Sequence, residues 1–95
     1  MIDSNKLSTS LSALRAVSHP IRLSLLAYID KNKVINVNKI YRKLKLEQSI
    51  TSQHLRILRI ADLVTTKRDG KFIYYSVNYK VVKNVVDSTN KLLSA

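Results

Sequence analysis

The chain has no cysteine. That removes disulfides, thiol redox sensing and thiolate metal sites together, and it agrees with a cytoplasmic protein. Glycine and proline occur once each, so collagen-like and low-complexity classes are excluded, and neither a Gly-rich phosphate loop nor a dividing linker is present. No uninterrupted apolar run approaches the roughly 20 residues of a membrane span, and no signal peptide is evident. Acidic residues are scarce: six Asp and Glu stand against seventeen Lys and Arg, a formal charge of +11. The sequence pI is near 10.2. Such an excess asks for a polyanionic partner, with nucleic acid first and a membrane surface as the alternative.

What is present is a 95-residue chain with 45% hydrophobic residues, read as one folded, mostly helical domain over residues 1–95. A chain of this size buries only about two-thirds of the surface its unfolded form exposes, so spare apolar stripes point to a second subunit. Leu7, Leu11 and Leu14 recur at helical spacing with Val17 one turn on, which predicts a first helix with one leucine stripe. Ser18-His19-Pro20 interrupts it, because the residue before proline avoids the helical region while proline suits the first position of a new helix. His19 is expected to cap there. The second helix runs from Pro20 through Ile21, Leu25, Leu26 and Ile29 to about Lys31. Asp30 to Lys33 is a polar loop, and Val34 to Val37 is β-branched and short, an extended lead into a third helix over Asn38 to Leu44. That helix keeps Ile40, Tyr41 and Leu44 together and turns Lys39, Arg42 and Lys43 outward.

After the tight connection Lys45-Leu46-Glu47 comes the stretch that organises the rest. Wound as a helix through Arg59, it carries Gln48, Ser49, Ser52, Gln53 and Arg56 on one stripe and Thr51, Leu55, Leu58 and part of His54 on the other. Glu47 caps less well than Ser, Thr or Asp would. The outer types suit a DNA major groove: Gln pairs with an adenine edge, Ser serves several bases, and Arg takes guanine or phosphate. Past Ile60 to Leu63, Val64 to Lys67 reads as a strand. Arg68-Asp69-Gly70-Lys71 is a hairpin signal through Asp-Gly, and Phe72 to Val77 returns antiparallel. Asn78 can cap a last helix with a wide apolar face of Val81, Val82, Val85, Val86, Thr89, Leu92 and Leu93.

This order is mainly α with a small β-hairpin: a winged helix-turn-helix with an added helix at each end. It resembles the ArsR/SmtB family of bacterial transcription repressors over roughly residues 7 to 93. Three segments carry the likeness: Leu14 to Leu26 around His19-Pro20-Ile21-Arg22-Leu23, Gln48 to Leu58 around Ser52-Gln53-His54-Leu55, and the wing Arg68 to Lys71 followed by Tyr74-Tyr75-Ser76-Val77. The resemblance implies a homodimer held by the first and last helices, with two recognition helices presented to successive major grooves. Leu7, Leu11, Leu14, Val82, Val85, Val86, Leu92 and Leu93 are the interface candidates. It also marks a departure. Many members bind metal through Cys at the start of the third helix, where this chain has Asn36 and Asn38. Others use ligands on the last helix, where it offers Asp87 and no His. No metal and no cofactor are therefore expected, and His54 is expected to pack rather than ligate.

The function expected is sequence-specific binding of double-stranded DNA at a palindromic operator, as a repressor that does not respond to metals. Gln48, Ser49, Ser52 and Gln53 would read bases. Arg56, Lys39, Arg42 and Lys43 would hold phosphates, and Lys67, Arg68 and Lys71 of the wing would grip the flanking backbone or minor groove. A winged-helix module that binds another protein is the competing class, but it has no need for a basic recognition face and a basic wing together. RNA binding is disfavoured because the aromatics cluster in the hairpin, at least partly in strand packing. An enzyme is least expected, with no nucleophile and base pair to place and no carboxylate pair. Regulation is left to the level of synthesis, a partner protein or an organic ligand in the dimer cleft.

Overall fold

A computed structural model of the chain describes the backbone of residues 4–94 and the side chains of residues 11–88, 90 and 91. The single proline divides its first two helices, α1 (Ser4–Val17) and α2 (Pro20–Asn32). His19 sits extended at the N-cap of α2, and its Nδ1 accepts from the backbone N–H of Ile21 at 3.1 Å. The expected cap is therefore made, by an imidazole.

The β-branched stretch becomes β1 (Ile35–Asn36), and Asn36 also caps α3 (Val37–Leu44) by accepting from the N–H of Asn38 at 2.9 Å. α4 (Gln48–Ile60) starts behind Glu47 without a side-chain cap. It ends in a Schellman arrangement, with Asp62 N–H bonded to Arg59 C=O at 3.0 Å and Leu63 N–H to Leu58 C=O at 3.0 Å. The left-handed residue that this ending needs is Asp62, at φ 59. With one glycine in the chain, such positions fall to other residues, and Lys33 and Lys45 also adopt positive φ.

That glycine makes the wing. β2 (Val64–Asp69) and β3 (Phe72–Val77) pair antiparallel from Val64 opposite Val77 to Asp69 opposite Phe72. The loop is thus Gly70-Lys71, with Gly70 at φ 61. The turn centred on Asp69-Gly70 is corrected by one residue, and Arg68 lies inside the strand rather than in the turn. β1 adds to the other edge of β3, Ile35 opposite Tyr75 and Asn36 opposite Tyr74, for a sheet ordered β1-β3-β2. The last helix, α5 (Tyr79–Ser94), follows Asn78, whose Oδ1 accepts from the Val81 N–H at 3.5 Å.

Leu25 and Ile29 from α2, Ile40 from α3, Thr51, Leu55 and Leu58 from α4, and Leu63 are each no more than 1% exposed. Every such aliphatic side chain withdrawn from water is worth roughly 1.5–3 kcal/mol before entropy is counted. The terminal helices belong to the same core. α1 contributes Ala13 and Ala16 and α5 contributes Val85, while Leu14 and Val82 pack half-buried against it. Among the described residues of α1, the small Ala13 and Ala16 lie deeper than Leu11 and Leu14. Val85, one of the residues of the wide apolar face of α5, is 8% exposed within the protomer.

Candidate nucleic-acid interface

α4 is held from beneath and from both flanks. Thr51, Leu55 and Leu58 anchor it to the core. On one flank Ser52 Oγ and the Tyr41 hydroxyl of α3 share a hydrogen bond of 2.7 Å. On the other, Arg22 Nη1 of α2 donates to His54 Nδ1 at 3.3 Å. The outer side carries Gln48, Ser49, Gln53 and Arg56, all exposed, with Ser52 half-buried. The expected division of faces is therefore present, except that Ser52 has one of its hydrogen bonds already committed.

Helical spacing also brings out side chains that the sequence reading passed over. Ile50, Ile57 and Ile60 are 39%, 40% and 68% exposed, and they flank or share the polar stripe. Their spacing by seven and then three residues was the available signal. It was hidden because aliphatic residues in a helix are ordinarily assigned to its buried side.

On α3, Lys39, Arg42 and Lys43 are exposed as expected, and Arg42 Nε reaches back to its own helix at Asn38 C=O, 3.4 Å away. The wing bases do not act as one patch. Successive strand residues point to opposite faces, so Arg68 shares the face of the buried Val64 and Tyr75, and Lys67 the face of Thr65 and Tyr74. Lys71 occupies the loop, its ammonium 5.7 Å from the centre of the Phe72 ring.

Leu11 and Val86 are 41% and 51% exposed, while Leu7, Leu92 and Leu93 lie outside the residues whose side chains are described. Beside Val86, α2 and α5 enclose an apolar cleft of about 420 Å³ lined by Leu23, Leu26, Val82 and Val86 among others. At its edge the Tyr79 hydroxyl donates to Asp30 Oδ1 at 2.6 Å. That bond, together with burial, raises the Tyr79 pKa. Among the described residues no group of three or more His, Cys, Asp or Glu is placed to hold a metal ion, and no helix is long and apolar enough to cross a membrane.

A helix-turn-helix whose second helix is buried on one side and polar and cationic on the other, followed by a basic hairpin, is the winged helix-turn-helix of DNA-binding proteins. The profile of the bacterial regulatory protein arsR family matches residues 19–66, from the cap of α2 into β2. The chain is 37% identical over 79 residues to the transcriptional repressor PagR of Bacillus anthracis, covering 83% of this chain and 79% of PagR. The crystal structure of PagR matches with a TM-score of 0.76 at 36% identity, over 96% of this chain and 99% of that one. The transcriptional activator HlyU of Vibrio cholerae is 30% identical over 79 residues, 83% of this chain and 72% of HlyU. Its structure matches with a TM-score of 0.76 at 26% identity, over 99% of this chain and 100% of that one. The chain belongs to the ArsR family of bacterial regulatory proteins. It is a DNA-binding transcription regulator and not an enzyme.

Proposed function

We propose that residues 1–95 act as a single-domain, cytoplasmic homodimer that represses transcription by occupying a palindromic operator. The observation that carries the reading is the seating of α4: with Thr51, Leu55 and Leu58 fully buried, the outer Gln48, Ser49, Ser52 and Gln53 are held at fixed positions, as base reading requires. Arg56, Lys39, Arg42 and Lys43 hold phosphates, and Lys67, Arg68 and Lys71 straddle the flanking backbone with the two faces and loop of the wing. Ile50 and Ile57, beside the polar stripe, suit thymine methyl groups.

The dimer is formed by α1 and α5. Leu11 and Val86 are exposed and Leu14 and Val82 half-buried on those helices, and Leu7, Leu92 and Leu93 extend the same stripes in sequence. A dimer seated on a promoter blocks transcription by occupancy alone, in line with the naming of PagR as a repressor. With no cysteine, release by soft metal ions or arsenite is not expected, and an organic effector or a partner protein takes that role.

Selecting bound fragments from a random DNA pool tests the reading. The expected result is an inverted repeat whose half-sites lie about one helical turn, 10–10.5 base pairs, or a multiple of it apart. A pool that stays random while the protein is folded and dimeric by sedimentation would overturn sequence-specific binding and favour a protein-binding module.

A further inference from the structure

Where α1, α2 and α4 meet, Arg22 is shared between two helices. Its Nε donates to Ala16 C=O and its Nη2 to Arg15 C=O at 3.2 Å, both in the last turn of α1, while its Nη1 donates to His54 Nδ1 of α4. A guanidinium has donors only, so His54 Nδ1 must present a lone pair. His19, its ring centroid 4.6 Å from that of His54, likewise uses Nδ1 as an acceptor, for the Ile21 N–H. This arrangement therefore needs both imidazoles neutral, with the proton on Nε2. We infer that Arg22 is a positioning residue for operator reading: acting through neutral His54, it fixes the rotation of α4 against the end of α1, and protonation of His54 releases that hold.

The core contacts of α4 lie along one line, through Thr51, Leu55 and Leu58, and a line of contacts resists tilting better than rolling about the helix axis. Rolling is opposed by the two flanks, Ser52 with Tyr41 and His54 with Arg22. Only the second is made by an imidazole. Gln53 is the next residue to His54, so a roll of α4 displaces the base-reading stripe directly.

The guanidinium bonded to His54 opposes a proton on its ring. Arg22 and His19 come from α2 and its cap, and α1 offers the Arg15 and Ala16 carbonyls with the Arg15 side chain exposed. From α3, the Tyr41 hydroxyl is hydrogen-bonded to Ser52, and on β2 Lys67, Arg68 and Asp69 are exposed on the wing. Glu47 and Asp62 flank α4 at its ends, exposed, and among the described residues no carboxylate is paired with His19, Arg22 or His54. Burial, then His19, then Arg22 lower the His54 pKa from its ordinary value of 6.5. A base whose pKa is lowered in the folded arrangement keeps that arrangement fully above its ordinary value. The contact is lost as pH falls through the lowered value.

The inference rests on α4 being the base-reading helix, and the test separates the two. Affinities for the selected operator and for random DNA are measured by fluorescence anisotropy from pH 8 to pH 5 at constant ionic strength, with circular dichroism confirming the fold. The ratio of operator to random-DNA affinity is expected to fall about tenfold on acidification, while random-DNA affinity holds or rises with the added charge. His54→Asn, which keeps an acceptor at the δ position and does not titrate, should retain the preference at pH 8 and give a flat profile. Arg22→Lys, which keeps the charge but not the fork, should lower the ratio at every pH and abolish the step. Nitrogen NMR of the free protein at pH 7.5 should show Nδ1 of His54 unprotonated. A protonated Nδ1, a flat wild-type ratio, or an unchanged step in His54→Asn would each overturn the inference. Absence of any operator preference at pH 8, with Nδ1 unprotonated, would instead overturn the role of α4.

Discussion

Helix α4 and the wing are both exposed and both basic, but they are built on opposite plans. Every turn of α4 is tied to the body by a buried side chain or a hydrogen bond, whereas β2 buries Val64 alone and runs exposed through Asp69. A side chain that discriminates one base edge from another must be placed to within about half an ångström, and only a packed element supplies that. A phosphate contact needs charge within reach and tolerates motion. Under the proposed function, this difference in anchoring assigns specificity to the helix and affinity to the wing.

The sharpest way to break this contrast is to empty the seat of α4. Leu58→Ala should cost about 2–5 kcal/mol of stability by urea unfolding, because it opens a cavity in the core, while Lys67→Ala on the wing should stay within about 0.5 kcal/mol. Equal losses would mean that the two regions are not differently anchored.

Next, Gln53→Ala should weaken binding to the preferred site by about 1–3 kcal/mol per half-site and leave random DNA nearly unaffected. Lys71→Ala should instead weaken both DNAs alike, and reduce the slope of log affinity against log salt by about 0.9 per half-site. If the two variants gave the same profile in anisotropy titrations, the division of labour would be wrong.

Thr51 sharpens the comparison from inside. Its hydroxyl is buried without a hydrogen-bond partner, so Thr51→Val should stabilise the protein by about 1 kcal/mol in thermal unfolding without changing operator preference. The smallest effect belongs to the joint between helix and wing. Asp62→Gly relieves a left-handed residue and should add less than about 1 kcal/mol, read as a small rise in the urea midpoint.

Much of the plan was legible from residue order. Pro20 marked the start of α2, and the alternation of Thr51, Leu55 and Leu58 with Ser49, Gln53 and Arg56 showed which side of α4 faces in. The β-branched and aromatic run Phe72 to Val77 declared a strand at its observed limits. The wing loop was placed one residue early, since Asp-Gly and Gly-Lys are both tolerable turn centres and only the pairing of Asp69 with Phe72 chooses between them. The outward isoleucines of α4 were missed because residue type alone counts them towards the core, although their helical spacing sets them apart from Thr51, Leu55 and Leu58.

Propensity, capping and periodicity act within a few residues, so the sequence by itself determined the helices, the hairpin, the polar and apolar faces of α4 and the excess of positive charge. Contacts between distant residues were decided by the tertiary structure. Ile35 and Asn36 are a strand only because Tyr75 and Tyr74 pair with them. Ala13, Ala16 and Val85 are core only because α1 and α5 close over the body. His19, Arg22 and His54 meet only when α4 is laid against the start of α2, and no spacing in the chain announces it. Such contacts depend on how elements pack in three dimensions, which local backbone preferences do not encode one segment at a time.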